Sequence, residues 1–331
     1  MCIGGDSMYY IGVDGGGTKT TFTMIDKNGY KVAQYITKTT HYEQIGFDGV
    51  ENILNEGLCE VIKIANIEKC DIRSAFLGLP GYGEVKNVAI KIDSIVSKVF
   101  EGIYFKVVND VEVGLEGSLA GKEGINIVSG TGSIALGKNE KGNTIRCGGW
   151  GDYIGDEGSA HWIGKKTIEV FSKEADKRLK RGLIYKGIKE KLNISDDFDI
   201  IDYVLNNIKK DRTKVAQFSK ICFESAMLND KNALEIFNEA GYELSLLVKM
   251  IINELDFKKE ILISYSGGVF KSEKLILDPL KKYLEDYNIK FTKPILEPDM
   301  GACLAAYKMI NKNSDEEIIN NMINHLDYNF A

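Results

Sequence analysis

Two glycine-rich turns in this sequence have the composition of phosphate-binding loops. The first, Asp14-Gly15-Gly16-Gly17-Thr18, follows the apolar residues 11–13, and the second, Ser129-Gly130-Thr131-Gly132, follows residues 125–128. Backbone N–H groups can approach an anion closely where no Cβ intervenes, so glycine suits this chemistry. A tight β-hairpin is the alternative interpretation of either turn alone, because each lies between two strand-like segments. The occurrence of both turns at matching places in two similar units favours a polyphosphate ligand.

Two better-known phosphate motifs do not fit these turns. The pattern Gly-x-Gly-x-x-Gly fails at the first turn, because Thr20 occupies the position of the last glycine. No Gly-Lys-Ser/Thr sequence occurs at the spacing of a Walker A loop. Both motifs also precede a helix, whereas these turns lie between strands.

One aspartate is placed where a general base would be useful. The strand-like residues 104–108 end in Asn109-Asp110, and ligands of α/β folds collect at the carboxyl ends of strands. A carboxylate within hydrogen-bond reach of a hydroxyl can accept its proton during attack. The alternative is that Asp110 only caps the helix that follows it.

Two further segments have the composition of binding loops. Residues 149–158 contain four glycines, one tryptophan and three acids, which make a poor core segment but admit and contact a ligand. A helix N-terminus capped by Asp156 or Ser159 is the alternative there. Ser264-Tyr265-Ser266-Gly267-Gly268 is a third glycine cluster after an apolar strand, and it would let backbone lie against a base or ribose.

The elements that would position these residues form two α/β units. The first reads as three strands, a helix, a strand, a helix and a strand, at residues 11–13, 20–25, 30–37, 47–65, 75–77, 85–100 and 104–108. The order of strand, glycine turn and strand then recurs about 114 residues later, by subtraction of position 11 from position 125. A mostly helical stretch at 158–255, a strand at 261–265 and helices at 272–287 and 300–310 follow, and we expect the polar tail after residue 310 to fray or pack loosely.

Composition excludes several classes of protein. The 331 residues suggest about two domains, and 44% hydrophobic with 27% charged residues is typical of a globular chain. A net charge of −6 gives no basic face for nucleic acid, and no apolar run approaches the ~20 residues of a membrane helix. The six cysteines contain no C-x-x-C pair, and the N-terminus lacks the features of a signal peptide. We therefore expect a protein of the reducing cytoplasm.

The motifs together resemble the N-acetylglucosamine kinase family. The two glycine turns, Asn109-Asp110, Gly148-Gly149-Trp150-Gly151 and Gly155-Asp156-Glu157-Gly158-Ser159 occur in the family's order, and the resemblance spans about residues 9 to 306. That family belongs with the BadF/BadG/BcrA/BcrD ATPases, within the superfamily of actin, hexokinase and the heat-shock chaperone ATPases. The resemblance implies an α/β fold with two ribonuclease H-like domains around a central cleft. They would span residues 8–118 and 119–331, the second with a helical insertion and a final helix able to pack back on the first.

The resemblance also implies a role for individual residues. Asp110 would be the catalytic base, and Asp14 would lie near Mg²⁺ through water. The contacts to ATP would come from Gly16, Gly17, Thr18, Lys19, Gly130, Thr131, Gly132, Gly267, Gly268 and Lys271. The contacts to the sugar would come from His41, Asp110, Ser133, Gly149, Trp150 and Asp156. His41 stands in the loop where the family often has asparagine.

The implied function is an ATP-dependent kinase that acts on the 6-hydroxyl of an amino sugar: N-acetylglucosamine, N-acetylmuramic acid or glucosamine. The alternative within the broad family is an ATPase that activates a dehydratase or reductase and holds an iron–sulfur cluster through paired cysteines; the scattered cysteines argue against it. A sugar-responsive repressor would need a DNA-binding domain before the first strand, and we expect no room for one. Homodimers are frequent among relatives.

Overall fold

The computed structural model describes residues 8–311 and 316–327. These residues form two compact units. The first contains the described residues up to Lys122 and those from Pro294 onward, and the second is Glu123–Lys293. Each unit contains a five-stranded mixed β-sheet with helices, as predicted for an α/β chain.

The elements of the first unit begin with a hairpin, as the sequence predicts. They are β1 (Tyr9–Gly15), β2 (Lys19–Asp26), β3 (Lys31–Lys38), α1 (Tyr42–Ala65), β4 (Ile72–Leu79), α2 (Lys86–Val99), β5 (Tyr104–Asn109) and α3 (Asp110–Ser118). Helix α1 is interrupted at Gly46, whose φ is 69°. The predicted order of three strands, helix, strand, helix and strand is confirmed.

The second unit repeats the hairpin and then becomes largely helical. Its elements are β6 (Gly124–Ser129), β7 (Ser133–Lys138), β8 (Thr144–Gly148), α4 (Ala160–Ala175), α5 (Leu183–Leu192), α6 (Asp199–Tyr203), α7 (Arg212–Ala216), α8 (Ser219–Met227), α9 (Lys231–Glu254), β9 (Ile261–Ser266), α10 (Lys274–Lys282) and β10 (Ile289–Thr292). The chain then returns to the first unit with α11 (Pro298–Ile310) and α12 (Glu316–Asp327).

The two sheets have the same topology. Their strand orders are β3-β2-β1-β4-β5 and β8-β7-β6-β9-β10, and in both the first three strands pair antiparallel and the last two join in parallel. The repeat of layout predicted from the sequence is therefore present. Since parallel strands end at the same edge of a sheet, each glycine turn lies beside the carboxyl end of the neighbouring parallel strand.

Helix α11 packs closely on the first unit because its inner face consists of small residues. A Cβ on Gly301 would lie 2.2 Å from the backbone nitrogen of Gly117 in α3, and a Cβ on Gly12 of β1 would lie 2.4 Å from that of Cys303. The sequence-based division placed 119–331 in the second domain, with a final helix able to pack back on the first; in the structure the described residues from Pro294 onward group with the first unit.

Three elements differ from the sequence-based prediction. Strands β8 and β10 are edge strands of the second sheet that the sequence did not indicate, and α12 occupies part of the tail expected to fray or pack loosely. The predicted helix at 272–287 begins with a 3₁₀ turn at Gly268–Ser272 and continues as α10. Within the described ranges, no helix has the length and apolar character needed to cross a membrane.

Candidate active site

The first glycine turn connects β1 to β2 and exposes its tip. The backbone N–H of Gly16 donates to the carbonyl of Lys19 at 2.8 Å and closes the turn. Two side chains support the turn, one from the loop after β3 and one from α1. The Thr39 hydroxyl donates to the Gly16 carbonyl at 2.7 Å, and the Gln44 amide donates to the Gly17 carbonyl at 2.9 Å. Because these supports use carbonyl oxygens, the amide side of the turn is the side suited to an anion.

The glycines of this turn differ in what requires them. A Cβ on Gly15 would lie 2.5 Å from the hydroxyl of Thr40 and 2.8 Å from the carbonyl of Gly78, so close packing excludes a side chain. A Cβ on Gly17 would meet nothing within 4 Å. Gly17, Thr18 and Lys19 are exposed, so the space above the tip is open to a ligand.

Asp110 is the first residue of α3 and does not cap it. The cap is Asn109, whose side-chain oxygen accepts from the backbone N–H of Val111 at 3.3 Å. The Asn109 amide also donates to the carbonyl of Tyr82 at 3.0 Å, which fixes the start of the helix. The N-cap position, the alternative role considered for Asp110, is therefore occupied by Asn109.

Burial raises the pKa of Asp110 from 3.8 to about 6. Hydrogen bonds from the backbone N–H groups of Val111 and of Asp110 itself oppose this rise in pKa, and the nearby charge of Glu84 adds to it. The charge of His41 lowers the pKa slightly, which places that histidine in the neighbourhood of Asp110. A carboxylate with a pKa near 6 is mostly ionised at neutral pH and still basic enough to accept a proton in a transition state.

His41 begins the helix that follows the third strand. Its Nδ1 accepts from the backbone N–H of Glu43 at 3.3 Å as the cap of α1, and its ring stacks on Tyr42 at 5.7 Å between centroids. The ring is thus held by its own helix. Its predicted contact to a sugar stays a prediction.

Asp14 is the most perturbed carboxylate of the first unit. Burial raises its pKa to about 7, and the charges of Asp299, Asp110 and Glu297 add to the increase, while Lys19 opposes it. Asp299 is itself buried and accepts hydrogen bonds from Thr23 and Gln34, so its carboxylate is already occupied in positioning strands β2 and β3.

The second glycine turn lies on the N-terminus of α4. The backbone N–H of Ala160 donates to the Gly130 carbonyl at 2.8 Å, and that of His161 donates to the Thr131 carbonyl at 3.3 Å. Helix α4 is capped by Ser159, whose hydroxyl accepts from the N–H of Trp162 at 3.2 Å. Of the two cap residues considered for this helix, Ser159 is the one used.

The third glycine cluster adjoins the second turn. A Cβ on Gly267 would lie 2.3 Å from the carbonyl oxygen of Ser129 and 2.9 Å from the nitrogen of Gly130, so this close approach requires glycine. The reason is that β6 and β9 pair in parallel, with Val128 opposite Ser266. The two segments, 137 residues apart at their first glycines (267 minus 130), are therefore neighbours in the fold.

A largely apolar cavity of about 410 Å³ opens beside these segments. It is lined by Ala160, Ile163, Thr213, Ala216, Gln217, Ser219, Lys220, Phe223, Phe237, Gly268, Val269, Lys271 and Ser272. Two of the predicted nucleotide contacts, Gly268 and Lys271, are thus on its wall. Apolar walls with a few polar side chains are typical of small-molecule sites.

Asp156 is buried beneath the second turn. Its φ is 60°, and its carboxylate accepts from the backbone N–H groups of Ser133 and Gly151. A Cβ on Gly132 would lie 2.6 Å from Asp156 Oδ2, so a side chain there would displace the carboxylate. Burial raises the pKa of Asp156, and those backbone donors together with Arg212 oppose the increase.

The rest of the 149–158 segment divides into buried and exposed parts. The Ser133 hydroxyl donates to the Glu157 carbonyl at 2.6 Å, and the Gly149 N–H donates to the Ser133 carbonyl at 2.9 Å. Trp150 is 72% exposed and Tyr153 is 96% exposed. The segment thus has a fixed base and an aromatic tip open to solvent.

Sequence reasoning missed several residues of these sites. Thr39 and Gln44, which support the first turn, carry no motif and are recognisable only from the fold. Arg212, whose guanidinium lies 3.9 Å from the Asp156 carboxylate, stands in a helical stretch with no glycine nearby. The structure brings the second and third glycine clusters together, and it brings Asp14, Asp110 and His41 into one unit; their roles stay predictions.

The chain is similar to known proteins over most of its length. A family model described as the BadF/BadG/BcrA/BcrD ATPase family matches residues 11–306. An N-acetyl-D-glucosamine kinase of Dictyostelium discoideum is 31% identical over 309 residues, covering 90% of this chain and 97% of that protein. An N-acetylmuramic acid/N-acetylglucosamine kinase of Clostridium acetobutylicum is 32% identical over 289 residues, covering 86% and 92%.

Solved structures agree on the fold. A Chromobacterium violaceum protein provisionally assigned as an N-acetylglucosamine kinase matches with a TM-score of 0.69 at 21% identity, covering 91% of this chain and 99% of that one. A ROK family glucokinase of Streptomyces griseus, solved with glucose and AMPPNP, matches with a TM-score of 0.51 at 16% identity, covering 90% and 98%. These matches confirm the predicted α/β class with two domains of the actin/hexokinase type.

Proposed function

The chain belongs to the BadF/BadG/BcrA/BcrD ATPase family, and from that premise we propose that it is an ATP-dependent kinase for the 6-hydroxyl of an amino sugar. N-acetylglucosamine and N-acetylmuramic acid are the substrates favoured by the two similar kinases. The observation that carries the proposal is the Asp110 carboxylate. It is half-buried, is not the N-cap of α3, and has a pKa raised to about 6.

Asp110 would act as the general base. As the sugar oxygen bonds to the γ-phosphorus, its proton passes to the Asp110 carboxylate, and the bond from phosphorus to the bridging oxygen of ADP breaks. Phosphoryl transfer requires mainly positioning and stabilisation of charge, and a base contributes roughly 10²- to 10⁴-fold in rate. The backbone N–H groups of the two glycine turns would stabilise the charge on the phosphates.

The nucleotide would be held mainly by backbone and by the apolar cavity. Its adenosine fits a cavity of about 410 Å³ whose wall includes Gly268 and Lys271. The phosphates would contact Gly16, Gly17, Thr18 and Lys19 on one side and Gly130, Thr131 and Gly132 on the other.

Magnesium fits the residues near the first turn. In the part of the chain that the structure describes, no group of three or more His, Cys, Asp or Glu side chains could form a complete metal cage. Mg²⁺ in phosphoryl transfer usually keeps several waters and uses one or two carboxylates with substrate phosphates, and Asp14 offers such a carboxylate. A bound ion would neutralise phosphate charge.

The sugar would be recognised by the 149–158 segment together with Ser133 and His41. The exposed Trp150 ring offers an apolar face for the sugar, and Gly149 would allow the sugar ring to approach the backbone closely. We place the reaction in the reducing cytoplasm, in keeping with Cys59, Cys147, Cys222 and Cys303 lying outside disulfide bonds. A homodimer is a further expectation, which sedimentation would test.

A coupled assay of ADP release tests the proposal. We expect ADP release to depend on sugar and to be faster with N-acetylglucosamine or N-acetylmuramic acid than with glucose or glucosamine, which are assayed in parallel. Identification of the product as the 6-phosphate by NMR would complete the test. If none of the sugars stimulates release while the protein contains bound iron, the dehydratase-activating ATPase would replace the kinase as the better proposal.

A further inference from the structure

Arg212 carries a charge at the second glycine turn that no motif accounts for. It is the first residue of α7, which is capped by Asp211 through hydrogen bonds from the N–H groups of Thr213 and Lys214. This cap fixes the direction of the helix start. The next residue, Thr213, and Ala216 one turn later both line the apolar cavity. Arg212 therefore belongs to the helix that forms one wall of that cavity.

The guanidinium is held at the turn by a buried carboxylate. Arg212 Nη1 lies 3.9 Å from Asp156 Oδ2, and this carboxylate is in turn next to Gly132 and accepts from the N–H of Ser133. Asp156 is thus a bridge from the backbone of the glycine turn to the arginine.

The geometry of this contact leaves the arginine available to a second anion. A separation of 3.9 Å is too long for a hydrogen bond, and the Arg212 side chain is 49% exposed. Within the described ranges, Asp156 is the carboxylate that lies within ion-pair distance of it. The Asp156 charge is also shared with two backbone N–H donors. A guanidinium has five N–H donors in a planar fork that matches phosphate oxygens.

We propose that Arg212 binds the phosphates of the nucleotide whose adenosine occupies the neighbouring cavity, and that Asp156 is the positioning residue that holds it at the second glycine turn. The inference rests on the proposed kinase function and adds a specific side chain to it. The turn supplies backbone dipoles, whereas Arg212 supplies a full positive charge at the same place. Charge-assisted hydrogen bonds of this kind are about twice as strong as neutral ones.

The test compares nucleotides that differ only in phosphates. ATP, ADP and AMP are titrated into the wild type and into Arg212→Gln by calorimetry, without sugar. We expect the dissociation constant for ATP to rise about 10- to 100-fold, as for loss of one hydrogen-bonded charge, and that for AMP to change by less than about threefold. The dissociation constant of Arg212→Lys for ATP should fall between those of the wild type and Arg212→Gln, because lysine keeps the charge but lacks the planar fork of donors.

A matched surface pair serves as the control. Arg178 also pairs with an aspartate, Asp176 at 2.7 Å, but on an exposed surface. Arg178→Gln should therefore leave the affinities for ATP, ADP and AMP unchanged. An equal loss of affinity for ATP and AMP in Arg212→Gln would indicate a structural role and overturn the inference, and so would unchanged ATP affinity. If Arg212→Gln does not fold, the same comparison is made with Arg212→Lys, where ATP affinity equal to the wild type overturns the inference. A wild type that binds no ATP would overturn the kinase proposal itself.

Discussion

Two carboxylates of the first unit share a buried environment but differ in their neighbours. Burial raises the pKa of Asp110 to about 6, and backbone N–H donors at the start of α3 limit the rise. The pKa of Asp14 rises further, to about 7, because the charges of Asp299 and Asp110 add to the effect of burial. An added cation would favour the ionised form of Asp14, whereas at Asp110 backbone N–H donors already offset part of the effect of burial. These surroundings suit Asp14 to a metal and Asp110 to a proton.

Replacement of Asp110 tests the base directly. Asp110→Asn keeps the size of the side chain but cannot accept the hydroxyl proton, so we expect kcat to fall about 10²- to 10⁴-fold. ATP affinity should remain, because the glycine turns proposed to hold the phosphates are unchanged. Steady-state kinetics with thermal melting measure both, and Asp48→Asn, an exposed aspartate of α1, is the matched control. A variant with more than about a tenth of wild-type turnover would show that Asp110 is not the base.

The pH dependence of the reaction should follow from the Asp110 carboxylate. Its pKa is raised to about 6, so the fraction of ionised Asp110 falls as the pH drops through 6 and is about a tenth at pH 5. The logarithm of kcat/KM should therefore fall with a slope near one below pH 6, and this limb should be absent from the residual activity of Asp110→Asn. An acid limb centred near the ordinary 3.8 would instead mean that the base is a solvated carboxylate.

At the scale of elements, the strongly apolar strands were predictable and the edges were not. Strands β1, β4, β6 and β9 are central or buried, and their apolar runs stand out in the sequence. Strand β10, with the sequence Ile-Lys-Phe-Thr, has three half-buried residues and one exposed residue at a sheet edge, so pairing with β9 rather than composition determines it. Helix α12 was overlooked although Ile318 and Met322, four residues apart, are both buried.

The candidate site likewise has parts that the sequence indicates and parts that it does not. Glycine turns and the Asp110 position can be recognised along the chain because their chemistry depends on local backbone. Asp156 illustrates the limit: its glycine-rich surroundings single it out, but its burial under Gly132 and its link to Arg212 depend on residues 24 and 56 positions away, by subtraction. Contacts of that separation arise from packing, which a single sequence does not display.

The crossing of α3 and α11 gives a prediction about packing. Gly301→Ala places a Cβ about 2.2 Å from a backbone nitrogen of Gly117, and backbone cannot move aside as a side chain can. We expect a loss in the free energy of unfolding of about 1–3 kcal/mol or more, measured by urea denaturation. Gly187→Ala is the control, because there only the Ile221 methyl group at 2.8 Å must give way. Equal stability of the two variants would mean that the helices are farther apart than described.

At the scale of the whole molecule, the proposed adenosine site and the proposed general base belong to different units. The cavity proposed for adenosine is lined by residues of the second unit, whereas Asp110 belongs to the first. A variant that blocks the cavity should therefore weaken ATP binding and leave Asp110 intact. A variant of Asp110 should lower turnover and leave ATP binding intact. This separation can be measured with two substitutions.

Gly268→Val is suited to the first half of that test. A Cβ at Gly268 meets nothing within 4 Å, so the valine should fit the folded protein and occupy space at the cavity wall. The melting temperature without ligand should stay close to that of the wild type. Saturating ATP at about 100 times its dissociation constant stabilises a protein by about 2.7 kcal/mol, and a tenfold weaker site keeps only about half of this. We therefore expect the ATP-induced shift in melting temperature to be at least halved in Gly268→Val and complete in Asp110→Asn. A full shift in Gly268→Val would place the adenosine elsewhere, because a ligand in this cavity cannot ignore a side chain added to its wall.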